Sequence, residues 1–545
     1  MFITQLGIFI FIYMLRSSLL VPFILNFQYV LAQTLSPSDS VAYHYGQTIT
    51  QEELREHLQI IASDEMEGRE TGTEGQKKAA AYIAGYFAGL DLPPIMGDTS
   101  YYQTYPIVES EWQEPYVEIE GQRFNFLKDF FSFYRLTESI DTSFNQITFA
   151  GYGISSEKYD DYLEVDATGQ ALLVLSGEPK SPDGDYYVTK SSMPSRFTQN
   201  LMASLGTKRT LAGIEDASLV MVVDDNFKQH LNRYALAARR PALELKQTRN
   251  EPSLIIISPE MAIALSGKYD LAKLQQRIDK KGKSTSFTRD VSFTVNLGQE
   301  NRQITSENVL GFVEGSDLKD EIVVVTAHYD HIGKQRNKIN NGADDDGSGT
   351  VAVLEIAEAF VEARREGHVP RRSMLFMTVS GEEKGLFGSQ YYTENPVFPL
   401  ENTIANLNID MVGRVDRIHT SSDDYVYIIG SDRLSTELHE INEEANRTFT
   451  KLYLDYRYNA EDDPNRFYYR SDHYNFAKNN IPVIFYFNGT HADYHRPSDT
   501  IEKINFDLLQ KRAQLVYFTA WQLANQDQRI VVDNGEATSD EQGRD

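Results

Sequence analysis

The stretch from Glu321 to Phe360 constrains this chain most. Glu321-Ile322-Val323-Val324-Val325-Thr326 is a short β-branched apolar run bounded by charge, the pattern of a parallel strand buried on both faces. Ala327-His328-Tyr329-Asp330-His331 follows, and then the loop Asn341-Gly342-Ala343-Asp344-Asp345-Asp346-Gly347-Ser348-Gly349. Val351 to Phe360 has helical periodicity, with Asp346 or Ser348 available as its N-cap. His328 and Asp345 therefore fall where a strand ends and a helix begins, the edge at which open α/β sheets build their sites. An imidazole and a carboxylate at such an edge suit zinc or a similar divalent ion.

A chain of 545 residues exceeds one core, so two or three domains are expected. Its 41% hydrophobic content, with 32 Tyr and 29 Phe, belongs to a folded protein rather than a disordered one. A net charge of −27 argues against nucleic acid as a partner, since phosphates would be repelled. With no cysteine, disulfides, thiolate nucleophiles, zinc–thiolate sites and a lipidated cysteine are excluded. Met14-Leu15-Arg16, the apolar run Leu19 to Val30 and the small-residue site Val30-Leu31-Ala32 predict a signal peptide over residues 1–32, starting at Met1 or at Met14. No later run approaches the roughly 20 apolar residues of a membrane span. The expectation is export to a periplasm or the cell exterior, with no stable membrane insertion once the signal is removed.

Past a polar lead-in, Thr50 with Glu53 three residues on opens a helix in the manner of a capping box. The glycine-punctuated loop Glu67 to Gly75 leads to a second amphipathic helix carrying Ala79, Ile83, Tyr86 and Phe87 on one side. From about Tyr101 to Leu297 the pattern changes to short strands, clearest at Gln146–Ile154, Ala171–Ser176, Ser218–Val223 and Leu254–Ile257. This block holds no dense His/Asp/Glu cluster and reads as an accessory domain. From Asn308 strands and helices alternate again: strands at Ser373–Val379, Thr403–Ile409, Val426–Ile429 and Pro482–Phe487, helices at Ser435–Arg447 and Phe506–Leu523. That alternation predicts an α/β fold with a sheet covered by helices on both faces. An acidic, frayed tail is expected over 526–545.

Each strand of the last region ends in a polar cluster: Ser380-Gly381-Glu382-Glu383-Lys384-Gly385, Asp410-Met411, and the loop His491 to Thr500. A lone acid after a strand is ordinarily a cap or a surface charge; ligand-type clusters at successive strand ends are not explained by capping. Two metal ions about 3.5–4 Å apart need a bridging carboxylate, for which Asp345 is the candidate. His328 and Asp410 could complete one metal, and Glu383 and His495 the other. Three protein ligands per ion leave an open position, as a catalytic site requires. Glu382 then stays free to take a proton from water. Asp330 could hold the second nitrogen of His328, and Tyr494 could donate its hydroxyl to a developing oxyanion. His331, His473 and His491 read as locally packed or loop histidines and are not assigned as ligands.

At these residues the sequence resembles the zinc-dependent exopeptidases of the bacterial leucyl aminopeptidase type, relatives of glutamate carboxypeptidase and the transferrin receptor. The resemblance rests on Ala327–His331, Gly342–Gly349, Gly381–Gly385, Asn408–Met411 and Asp493–Thr500, with Arg470-Ser471-Asp472-His473 as a further shared motif. It implies two Zn2+ per chain, with Co2+ or Mn2+ as substitutes, on His328, Asp345, Glu383, Asp410 and His495, with Glu382 as general base. It implies a mixed, mostly parallel sheet sandwiched by helices, of the zinc-exopeptidase (phosphorylase/hydrolase-like) kind, over 41–110 and 297–525. The intervening 111–296 looks like an inserted, β-rich region containing a protease-associated-like domain, on Gly151–Ile154 and Tyr159–Tyr162. The expected activity is that of an aminopeptidase on peptides. A carboxypeptidase or amidohydrolase with the same metal pair, and a receptor-like protein without activity, are the rival readings.

Overall fold

The pattern read after Asn308 forms one large sheet in the computed structural model, which describes residues 35–97, 99–133, 139–245, 251–335, 337–420 and 424–534. The signal segment expected at 1–32 and the tail from 535 lie outside the described residues. The chain divides into two units, with breaks at Tyr105/Pro106 and Thr305/Ser306. These breaks fall inside the long strands Tyr102–Trp112 and Gln299–Val313, whereas the domain bounds expected from the resemblance were 110/111 and 296/297. Among the described residues no helix is long and apolar enough to cross a membrane.

The first unit begins with three helices, α1 (Pro37–Gly46), α2 (Gln51–Ile61) and α3 (Glu74–Gly89). Thr50 caps α2 by accepting the Glu53 N–H. Then come β1 (Gln299–Val313, which enters this unit at Ser306), β2 (Leu318–His328), α4 (Gly349–Arg365), β3 (Arg372–Val379) and β4 (Thr403–Ile409). The unit finishes with β5 (Tyr425–Ile429), α5 (Thr436–Ala445), β6 (Tyr453–Asp455), β7 (Val483–Phe487) and α6 (Phe506–Asn525). In the sheet these strands run in the order β1-β3-β2-β4-β7-β5-β6. The central four are mutually parallel, while β1 on β3 and β5 on β7 are antiparallel.

The β-branched run of β2 shows why the strand is central. Val323, Val325 and Ala327 face one core with α4 and α6, while Ile322 and Val324 face the opposite core with Phe476 and Tyr392. A strand buried on both faces admits a polar side chain only where it finds a partner, as the Thr326 hydroxyl does on Asn408 Oδ1. Register sets where the strands end: His328 pairs with Val379, Thr326 with Asn408, and Asn408 with Phe485. The polar clusters that follow these strands are thus delivered to one edge of the sheet.

The second unit holds an eight-stranded sheet of its own. Its heart is three parallel, wholly buried strands, Ala171–Leu175, Leu219–Val223 and Ser253–Ile257. The expected strands are present, and so are helices at Leu201–Ile214, Phe227–Arg239, Pro259–Ser266 and Leu271–Lys281 that the sequence reading left out. Their signals were there: Asn200, Ser258 and Asp270 each cap a helix with the side chain. Asp161 ties the two quoted segments together, accepting the Tyr152 and Ile154 N–H groups and the Tyr159 hydroxyl. Gly151 has φ 51°, and a Cβ there would come within 2.0 Å of Asp161 Oδ1, so only glycine fits the turn.

The start of the expected frayed tail is instead docked. Ile530 is buried, the Asp533 N–H donates to Leu434 O, and Asp533 Oδ1 accepts the Thr436 N–H at the start of α5. A carboxylate at a helix N-terminus is stabilised by the free N–H groups and the helix dipole, which holds this acidic segment in place.

Phe360 of α4 is fully buried among Phe376, Tyr517 and Trp521. Phe360→Ala is expected to cost about 3–5 kcal/mol, read as a lower urea midpoint for the first unit with its circular dichroism unchanged in water.

Candidate metal centre

The residues singled out in the sequence lie at or beyond four strand ends and meet in one cluster, largely buried except for His495. His328 is the last residue of β2; Glu382 and Glu383 lie just past β3; Asp410 follows β4; and Tyr494 and His495 lie on the loop after β7. Asp345 comes from the loop between β2 and α4. His328 Nε2 stands 3.5 Å from Asp345 Oδ1, 3.6 Å from Asp410 Oδ1 and 3.9 Å from Glu382 Oε2. His495 Nε2 stands 3.1 Å from both Asp345 Oδ2 and Glu383 Oε2. Asp345 thus turns one oxygen to each of two histidine–carboxylate groups.

Ligands about 2.0 Å from one tetrahedral ion stand about 3.3 Å apart, which is the spacing of these pairs. Among the described residues two groups have donor atoms all within 4.8 Å of one another: His328, Glu382 and Asp410, and His331, Asp345 and Glu383. The cluster also calls for cations. Four carboxylates, those of Asp345, Glu382, Glu383 and Asp410, converge with little solvent access, and Asp345 Oδ2 and Glu383 Oε1 are buried without a hydrogen-bond partner. Buried charge of this density needs positive partners. A donor set of imidazoles and carboxylates with no thiolate fits zinc, and also cobalt or manganese.

The electrostatics follow from the crowding. Burial pushes the Glu382 carboxyl well above its usual range, and the Asp410, Glu383 and Asp472 carboxylates add to this against the opposing pull of His328. Burial also opposes ionisation of Glu383, but His331 and His495 outweigh it and hold that carboxyl well below the usual range. His495 loses proton affinity to burial and regains more from Asp345 and Glu383, so its pKa rises to about 10. Burial first, then the Asp345, Glu383 and Glu382 carboxylates, keep the Tyr494 hydroxyl protonated. Its ring stacks on His495 with centroids 3.9 Å apart.

Asp330 behaves differently from the expectation. His328 Nδ1 lies 3.1 Å from the backbone carbonyl of Asp330 and 3.7 Å from its carboxylate. The carboxylate is engaged elsewhere, accepting the Thr71 hydroxyl at 2.6 Å and the Glu382 N–H at 3.2 Å. Asp330 therefore fixes the turn carrying Glu382 and orients His328 through its main chain.

Several residues to which the sequence assigns no such role support the cluster. Asp346, read only as a helix cap, accepts the Gly349 and Met411 N–H groups on Oδ1 and the His328 N–H on Oδ2. Asp499 Oδ2 accepts the Asp344 and Asp345 N–H groups, and Asp344 pairs with His491 at 3.1 Å. The Ser471 hydroxyl donates to Asp410 Oδ2. Arg69, from the glycine-punctuated loop, is buried and donates to the carbonyls of Ile61, Tyr329, Asn341 and Gly342. The only hint of Arg69 was a cation among tight turns. A small cavity beside the cluster is lined by Met411, Phe467, Phe485, Phe487 and Tyr494, with the exposed Arg470 at its rim.

A strand-edge cluster with this donor set could hold divalent ions, and the region that carries it is similar to known proteins. Residues 308–520 match the model of Peptidase family M28. This region is 32% identical over 213 residues to a probable leucine aminopeptidase of Trichophyton verrucosum, covering 38% of this chain and 55% of that one. The chain is 26% identical over 258 residues to the aminopeptidase YwaD of Bacillus subtilis, covering 46% of this chain and 51% of that one. The chain thus spans about half the length of these curated relatives. An aminopeptidase structure from Aneurinibacillus aligns over 90% of this chain and 98% of its own at 17% identity, with a TM-score of 0.49. The region that carries the cluster is thus similar to Peptidase family M28.

Removing the Arg69 guanidinium would leave four carbonyls, most of them buried, without a donor, each costing about 1–3 kcal/mol. Arg69→Met is expected to lower the melting temperature by several degrees and Arg69→Lys by less, measured by calorimetry on the metal-free protein.

Proposed function

We propose that the chain is a di-zinc aminopeptidase, hydrolysing the amino-terminal bond of peptides. The observation that carries this reading is the two-sided placement of Asp345 between His328/Asp410 and His495/Glu383, with Glu382 the most distant of the three carboxylates around His328 Nε2, at 3.9 Å. The names of the relatives, probable leucine aminopeptidase and aminopeptidase, support the substrate class. Zinc bound here would supply Lewis acidity for the scissile carbonyl and lower the pKa of a water.

The protein's own residues do the rest. Glu382 is held at the end of β3 by its N–H bond to Asp330, with its carboxylate facing His328 and Asp410. It would accept the proton of the attacking water and return it to the leaving amine, which becomes the new amino terminus. Burial and then the neighbouring carboxylates favour the protonated form of Glu382; cations held by this cluster would oppose that preference and leave it free to act as a base. The Tyr494 hydroxyl, protonated across the working pH range, would donate to the oxygen that gains charge as the carbonyl carbon becomes tetrahedral. Met411, Phe467, Phe485 and Phe487 would receive an apolar side chain of the first residue.

A panel of free-amine and N-blocked peptides tests the reading. The purified protein should bind two zinc ions and cleave only the free-amine substrates, losing activity to a chelator and regaining it with zinc. Equal cleavage of blocked peptides would move the assignment to a carboxypeptidase or amidohydrolase.

Glu382→Gln should lower kcat by about 10²–10⁴-fold while keeping both ions, as counted by elemental analysis. Loss of the ions in that variant would instead make Glu382 a ligand.

A further inference from the structure

His331 was set aside in the sequence as a residue that packs locally, yet its ring lies at the centre of the cluster. It is fully buried, and its N–H donates to Arg69 O. The ring sits against Gly342, where a Cβ would come within 2.6 Å of it, at a backbone φ of 53°. It meets the His495 ring edge-on at 5.8 Å. Its Nδ1 is 2.8 Å from Glu383 Oε1 and 3.7 Å from Asp345 Oδ2.

A separation of 2.8 Å would ordinarily be a hydrogen bond. Here neither ring nitrogen has a hydrogen-bond partner, and Glu383 Oε1 and Asp345 Oδ2 have none either. Nδ1 and these two oxygens stand together without pointing at one another. Ligands of one ion do the same: bound at about 2.0 Å and roughly 90–110° apart, they approach to about 2.8–3.3 Å while their lone pairs aim at the ion. The three side chains also satisfy the mutual spacing of a metal-binding group.

We propose that His331 is a fourth protein ligand of the ion held by Asp345, Glu383 and His495. This rests on the two-ion reading above and makes the two positions unequal. The position of Asp345, Glu383, His495 and His331 is closed by protein, as structural zinc sites are. The position of His328, Asp345 and Asp410 keeps three protein ligands and an open face, as catalytic ones do. The closed position holds its ion more tightly and exchanges it more slowly; the open one is where chelators and exchange act first.

The test is paramagnetic NMR of the cobalt(II)-loaded full chain carrying ring-labelled histidine. Direct ligation predicts three histidines with contact-shifted ring signals, those of His328, His495 and His331, falling to two in His331→Gln. Zinc competition with a chromophoric chelator should then show one of the two ions weakened by at least about tenfold in His331→Gln, with the other nearly unchanged. Two cobalt ions bound with only two contact-shifted histidines would overturn the proposal while leaving the two-ion reading intact. Fewer than two ions bound would overturn both. The count in the unsubstituted protein decides the question even if His331→Gln does not fold.

Discussion

Three strand and helix ends in the first unit depend on the carboxylate of Asp346. Its oxygens accept N–H groups from His328 at the end of β2, Gly349 at the start of α4 and Met411 after β4. A buried carboxylate is stable only when donors or cations satisfy it, and backbone donors of three different elements do so here. Asp344 is treated in the same way, by the Gly413 N–H, the Ser348 hydroxyl and His491. Asp345 stands between them with its own N–H held by Asp499 and its carboxylate turned to the two histidines. Three consecutive acids thus have two physical roles: the outer two lock the scaffold, and the middle one turns its carboxylate to two histidines.

This arrangement explains why the site is both rigid and charged. His328, Glu383 and Asp410 stand at or just past the ends of strands buried on both faces, so their backbone is fixed before their side chains begin. A surrounding layer then fixes the side chains: Ser471 on Asp410, the Asp330 carbonyl on His328, and Asp330 again on the turn of Glu382. Arg69 binds the carbonyls around the loop without touching the carboxylates. The second unit builds a separate core on three parallel strands and uses Asp161 as a local staple.

Much of the first unit was legible because it is written locally. The β-branched run of β2, the apolar runs of β3, β4 and β7, and the acids and histidines just beyond them need only the chain neighbourhood to be recognised. The helices of the second unit were overlooked because their runs are interleaved with strong strands, although Asn200, Ser258 and Asp270 marked their starts. The docking of Ile530 and Asp533 was illegible for another reason: its partners, Leu434 and Thr436, lie far away in the chain.

By itself the sequence determined which residues stand at strand ends and which of them have donor atoms for a divalent ion, since periodicity and residue chemistry are properties of short segments. Only the tertiary structure decided how those donors are shared. Register between β2, β3, β4 and β7 placed them at one edge, the loop before α4 turned the two oxygens of Asp345 to opposite sides, and the bare backbone of Gly342 let His331 reach Glu383. Those are matters of distance and direction between segments far apart in the chain, and no local pattern carries them.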